Sequence, residues 1–175
     1  MEEELAKGRY NFTSLRSGII IGSGSASFEI IRDLVEKLPI MVAPKWLKTK
    51  CQPISISDVL KILTGVLKNP ITYNQNFDIG GPKVLSYKQM LLEFAGERKL
   101  WRKIFVVPVL TPKLSSYWLY FITSTSFRLA RSLVGSMKVN IICRNNDLTK
   151  MLKIEPLSYL QSLKLAFKKL SLIHI

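Results

Sequence analysis

Phe12-Thr-Ser-Leu-Arg-Ser-Gly-Ile-Ile-Ile-Gly-Ser-Gly-Ser-Ala-Ser-Phe-Glu-Ile-Ile-Arg-Asp-Leu-Val-Glu-Lys-Leu38 decides how the rest of this chain is read. An apolar, β-branched run enters a Gly/Ser turn and leaves it with apolar residues at helical spacing. That order predicts strand, loop and helix. Residues 19–21 are continuously apolar, as a parallel strand covered on both faces requires. Open α/β sheets place ligands just beyond the carboxyl ends of their strands, so the turn at 22–27 is the first place to seek a site.

Two readings of that turn compete. Gly22-Ser-Gly24-x-x-Ser27 is close to a dinucleotide fingerprint, with Ser where the third glycine belongs. A fingerprint would seat a pyrophosphate on the N-terminus of the next helix and be followed, about 20 residues on, by a ribose-binding acid. Here Pro39-Ile-Met-Val-Ala-Pro44 and Lys45-Trp-Leu-Lys48 follow, with no acid. The spacing favours the simpler reading, a small-residue loop in which Ser27 caps a helix from Phe28 to Leu38.

Working outward, residues 2–7 are strong helix formers and Gly8 stands where such a helix would end, but the run is too short to stand alone. Residues 39–44, bracketed by prolines, predict a loop or edge strand. Pro53-Ile-Ser-Ile-Ser57 alternates and leads into a helix with apolar positions 59, 60, 62, 63, 66 and 67 on one face, capped by Ser57 or Asp58. Residues 77–79 predict a strand stopped by Gly80-Gly-Pro82, and Ser86 caps a helix carrying Met90, Leu91, Phe94 and Ala95. Residues 104–109 predict another strand. Thr111-Pro112 opens a helix over 114–127 that extends toward 133. Residues 139–143 predict a strand, and Leu157, Leu160, Leu163, Phe167 and Leu170 stripe a last helix. The chain divides into 1–100, a sheet-bearing part, 101–170, a mainly helical segment packed on it, and a tail at 171–175.

The 175 residues are 47% apolar, sufficient for a sizeable core, and carry a net charge of +14. Fourteen basic groups face only Asp147 and Glu155 from residue 98 onward. These charges are scattered among apolar residues with no nucleic-acid motif, so a solvated basic face is the reading and no nucleic-acid partner is expected. Peripheral membrane contact is a third-ranked alternative; residues 104–122 are interrupted by Pro108, Pro112 and Lys113 and fall short of a spanning helix. The acidic start lacks a secretory signal, and Cys51 and Cys143 are lone thiols without metal spacing, so a cytoplasmic, reduced setting is expected. Nucleophilic triads and metal clusters are not indicated: the one histidine, His174, lies in the tail.

Four words in order carry a resemblance. Thr13-Ser-Leu-Arg-Ser-Gly-Ile-Ile-Ile-Gly22, Pro53-Ile-Ser-Ile-Ser-Asp-Val-Leu60, the 73–82 stretch with Phe77-Asp-Ile-Gly-Gly81, and Thr111-Pro-Lys-Leu-Ser-Ser-Tyr-Trp118 continuing to Ser136 resemble the C-terminal portion of the extended and atypical short-chain dehydrogenase/reductases. These are the NAD-dependent epimerase/dehydratase and NAD(P)H-binding proteins, and the likeness runs from about residue 2 to 167. It implies an α/β fold, the C-terminal part of a Rossmann-like NAD(P)-binding domain with additional C-terminal helices. By position, it implies that Ser17, Gly18, Ile19 and Gly22 adjoin an NAD or NADP cofactor, and that Ser23, Ser25 and Phe28 line the substrate side.

The chain departs from that family where its chemistry begins. The first βα unit with its glycine fingerprint has no counterpart. None of Tyr10, Tyr73, Tyr87, Tyr117, Tyr120 or Tyr159 has a Lys four residues later, so the proton-exchanging Tyr-x-x-x-Lys pair is missing. The expectation is a fragment of an NAD(P)-dependent epimerase/dehydratase-like oxidoreductase, inactive and poorly soluble alone, binding dinucleotide no tighter than millimolar and needing a complementing N-terminal half. The alternative is a non-catalytic module that binds a ligand or a protein.

Overall fold

In the computed structural model, residues 7–8, 10–107, 137–144 and 147–173 are described. The sequence-predicted helix at 2–7, apart from Lys7, the one at 114–133, and His174 lie outside the described residues. The elements run β1 (Thr13–Ser17), β2 (Ile20–Ile21), α1 (Ala26–Lys37), β3 (Ile40–Pro44), β4 (Lys50–Cys51), β5 (Ile54–Ser55), α2 (Ile56–Val66), β6 (Gln75–Ile79), β7 (Leu85–Ser86), α3 (Tyr87–Glu97), β8 (Lys103–Val107), α4 (Asp147–Met151) and α5 (Tyr159–Ile173). Single 3-10 turns cover Lys45–Lys48 and Pro70–Thr72.

The fold is mixed α/β, with parallel strands joined by helical crossovers. β1 pairs in parallel with β6, Thr13 opposite Gln75 and Ser17 opposite Ile79. β3 pairs in parallel with β8, and β2 with β5; β4 and β7 are antiparallel. The apolar run that predicted one strand is thus two. At Gly18 the chain leaves β6, and β2 joins β5 instead. The 39–44 stretch, predicted as loop or edge, is strand β3, and its prolines stand at the boundaries, Pro39 before it and Pro44 as its last residue. Of the predicted strand at 139–143, the structure keeps a single bridge, Ile141 to Cys51.

Two apolar clusters hold these pieces together. The larger joins α1, α3 and α5, with the rings of Phe28, Phe94 and Phe167 meeting at centroid distances of 5.1–5.9 Å. The smaller packs Val59, Ile62 and Val66 of α2 onto Ile54 of β5, Ile79, Leu148 and, from β1 and β6, Leu15 and Phe77. The helix caps differ from the sequence reading at two places. Ser55, not Ser57 or Asp58, caps α2, its hydroxyl accepting from the Ser57 N–H, because the helix begins at Ile56. Ser25, not Ser27, stands at the N-cap of α1, and its hydroxyl donates backward to the Ile20 carbonyl at 2.7 Å.

Ser86 does cap α3, in a reciprocal box. Its hydroxyl accepts from the Gln89 N–H at 3.2 Å, and Gln89 Oε1 accepts from the Ser86 N–H at 2.8 Å. Ser86→Ala is therefore expected to cost about 1 kcal/mol, read as a lower urea midpoint at unchanged slope.

Candidate functional site

β1 and β6 run side by side with Arg16 opposite Asp78. Alternation along each strand sends this pair to the same face, and there the two side chains approach at 4.0 Å. Arg144 arrives from the far end of the chain, its Nε 3.4 Å from Asp78 Oδ2 and its backbone N–H donating to the same oxygen at 3.2 Å. Two guanidiniums thus share one carboxylate. They wall two adjoining cavities of about 360 and 250 Å³.

The smaller cavity opens at the carboxyl end of β1 and is lined by Ser17, Gly18, Gln52, Asn140 and Cys143 besides the charged trio. Gln52 is a clasp beneath it. Its Nε2 donates to the Gly81 carbonyl at 2.6 Å, and its Oε1 accepts from the Cys143 N–H at 3.2 Å. Of the residues expected to meet a cofactor, Ser17 and Gly18 line this cleft. Ile19 is buried in the larger core and faces Trp46 and Tyr87 across a small apolar cavity. Gly22 is buried, and a Cβ there would fall 2.5 Å from the Ile56 side chain.

Of the expected substrate residues, Ser23 and Ser25 are half-buried in the β2–α1 loop, outside both cavities. Phe28 is fully buried between Phe94 and Phe167. Arg16, Gln52, Asp78, Asn140 and Arg144 enter the cleft without having been singled out as ligands from sequence. Their meeting depends on a strand register and on a contact between residues 78 and 144, neither of which leaves a local pattern.

The β2–α1 loop bears on the fingerprint reading. Gly24 adopts φ +83°, which its lack of a Cβ permits, and its N–H donates to Glu29 Oε1 at 3.2 Å. The Glu29 carboxylate also pairs with Arg32 at 2.6 Å. The positive end of α1, which would face a pyrophosphate, is therefore already covered by a carboxylate of the same helix. The loop does not fit a dinucleotide pyrophosphate.

Beside its cationic and amide groups the cleft holds one carboxylate, Asp78, and one thiol, Cys143, and none of the described tyrosines lines it. Tyr159 is buried, with its hydroxyl donating to the Met90 carbonyl at 3.2 Å and its pKa driven well up by burial. Tyr87 is shifted upward for the same cause, and burial raises the Cys51 thiol to about 12. Cys143 lines the cleft, yet burial and the neighbouring Asp78 raise its pKa too, so it stays a thiol at neutral pH. Among the described residues no cluster of His, Cys, Asp or Glu could hold a metal, and no helix is long and apolar enough to cross a membrane.

No protein-family model matches the sequence, and no curated protein matches it. Solved structures do share the fold. An NADPH-dependent quinone oxidoreductase from Escherichia coli, complexed with NADPH, superposes with TM-score 0.70 at 17% identity over 95% of this chain and 57% of its own. A UDP-glucose 4-epimerase from Thermotoga maritima, with UDP-glucose, gives 0.67 at 13% over 99% and 52%. A UDP-glucuronic acid 4-epimerase from Bacillus cereus, in complex with UDP-glucuronic acid and NAD, gives 0.58 at 11% over 91% and 45%. The fold is that of Rossmann-like NAD(P)-binding epimerases and reductases. This chain spans about half the length of the structures it matches.

Proposed function

We propose that this chain is the C-terminal half of an NAD(P)-dependent epimerase/dehydratase-like oxidoreductase, contributing the far wall of the cofactor and substrate site without its phosphate cradle or its proton donor. The observation that carries the reading is the pairing of near-complete coverage of this chain with half coverage of each neighbour. What supports it locally is the cleft at the carboxyl end of β1, where Ser17 and Gly18 present backbone and a small side chain to a ligand. The two guanidiniums of Arg16 and Arg144 beside it exceed the single Asp78 carboxylate they share, a net positive charge that suits an anionic group. The nicotinamide portion of the dinucleotide belongs to the Ser17–Gly18 side, and the pyrophosphate to residues supplied elsewhere. The substrate-side placement of Ser23 and Ser25 goes with this reading.

The test is NAD(P)H fluorescence on the purified chain. Alone it is expected to bind no tighter than millimolar, and together with a nucleotide-binding half it is expected to bind in the micromolar range. Micromolar binding by the isolated chain would overturn the reading. So would a genomic frame upstream of Met1 that encodes neither a glycine fingerprint nor Tyr-x-x-x-Lys.

A further inference from the structure

Along the sequence the basic groups read as scattered, but strand pairing gathers some of them. β4 lies between two other segments. On one side Lys50 stands opposite Ser86 and Cys51 opposite Leu85; on the other, Cys51 bridges in parallel to Ile141. The Tyr87 N–H donates to the Thr49 carbonyl at 3.2 Å, and the Ile141 N–H to the Lys50 carbonyl at 2.9 Å. Cys51 and Leu85 are buried, so alternation turns Lys50 outward with its neighbours Val84 and Asn140, and all three are exposed. Carried back to Lys48, the same register brings Lys88 near it on one side and Lys138 on the other. Lys48 and Lys138 are exposed as well.

No acid accompanies these lysines. Stretches 38–57, 79–92 and 98–146, which supply the whole face, contain neither aspartate nor glutamate. Elsewhere Arg32, Lys37, Lys61 and Arg98 each have a carboxylate within 3.2 Å. Lys48, Lys50, Lys88 and Lys138 form no ion pair among the described residues. Like charges side by side repel one another in the free chain, and a surface of opposite sign relieves that repulsion.

We infer that this lysine face docks on an anionic phospholipid surface, a contact that goes beyond the proposed function and does not depend on it. Charge complementarity selects an anionic partner, and the side chains select lipid. Lysine is a compact, strongly hydrated point charge that needs no fixed counter-geometry, which suits a fluid array of headgroups; bidentate capture of one phosphate calls for arginine. The arginine nearest the face, Arg144, is engaged by Asp78 at 3.4 Å. Trp46 and Tyr87 are buried, so neither offers a ring for a base to stack on. In their place Val139 and Val84, 67 and 42% exposed, stand among the lysines as apolar points that enter the headgroup layer. Each lysine at an anionic surface strengthens partitioning about fivefold.

The test is cosedimentation of the purified chain with vesicles of phosphatidylcholine containing about one third phosphatidylglycerol, and with vesicles of phosphatidylcholine alone. The chain is expected to sediment with the first and not the second, and to be released as salt rises from about 0.1 to about 0.5 M. Lys48→Glu/Lys138→Glu is expected to weaken binding at least about twentyfold. Lys164→Glu/Lys169→Glu makes the same change of net charge on exposed lysines of α5, and is expected to stay within about twofold of the parent. All four lysines are exposed and none lines the cleft, so both double variants keep the parent's urea midpoint. Equal binding to neutral vesicles, no binding to anionic ones, or an equal loss from the two double variants would overturn the docking face. Tighter binding to duplex DNA or polyglutamate than to the anionic vesicles at the same salt would overturn lipid as its occupant. Either result leaves the proposed function to its own cofactor-binding test.

Discussion

Replacing Phe28 by alanine is expected to lower the unfolding free energy by about 3–5 kcal/mol, among the largest single-residue losses this fold can suffer. The ring is fully buried and meets both Phe94 and Phe167 with tilted geometry at 5.9 and 5.8 Å, so its removal opens a cavity where α1, α3 and α5 converge. Urea unfolding followed by circular dichroism measures the effect as a shift in midpoint at constant slope. The position was expected on sequence grounds to line a substrate pocket, and the two roles predict different numbers. A loop-borne ligand contact would leave stability within about 0.5 kcal/mol of the parent and alter only ligand affinity. Phe28→Leu, which keeps most of the apolar volume, should recover much of the loss.

Asp58→Ala is expected to cost about 1.5–3 kcal/mol, the range for hydrogen bonds made by charged groups. Its fully buried carboxylate accepts from the Leu157 N–H at 2.7 Å and pairs with Lys61 at 3.1 Å. It ties α2 to the chain just ahead of α5. Alanine leaves the Leu157 N–H without its acceptor. Asn keeps an oxygen for that N–H while giving up the charge, so Asp58→Asn should lose about half as much. Calorimetry on the three proteins separates the hydrogen bond from the ion pair. Because Lys61 is 54% exposed, the pair is screened by solvent and the backbone contact carries the larger share.

Asp58 also marks where sequence reasoning ran short. The acid was read as a helix cap because it follows an alternating apolar segment, and caps are local. Its partner Leu157 is 99 residues away, and no pattern near Asp58 announces it. Local signals otherwise served well: the Ser86 box, the apolar face of α3 and the strand–turn–helix order at 12–38 all depend on residues within a few positions of one another. The division of the first strand at Gly18 was illegible because Ile19–Ile21 is as apolar as any continuous strand; what separates β1 from β2 is which partner each finds. Likewise 59, 60, 62, 63, 66 and 67 look like one wide helical face, although half of them point away from the sheet. That Ser17 and Gly18 line the candidate cleft could be anticipated only through the family resemblance. Its basic wall could not, since Arg16, Asp78 and Arg144 come together only through tertiary pairing.

The parallel ladders also govern when this fold can exist during synthesis. Thr13 faces Gln75 and Ile40 faces Lys103, so the two longer ladders join residues more than 60 positions apart. Such closures are slow, because a long loop must be ordered before its contacts repay the entropy. On the ribosome β1 waits for β6, and β3 waits equally long for β8. Through that interval its apolar strands are open to whichever chaperone or partner reaches them first.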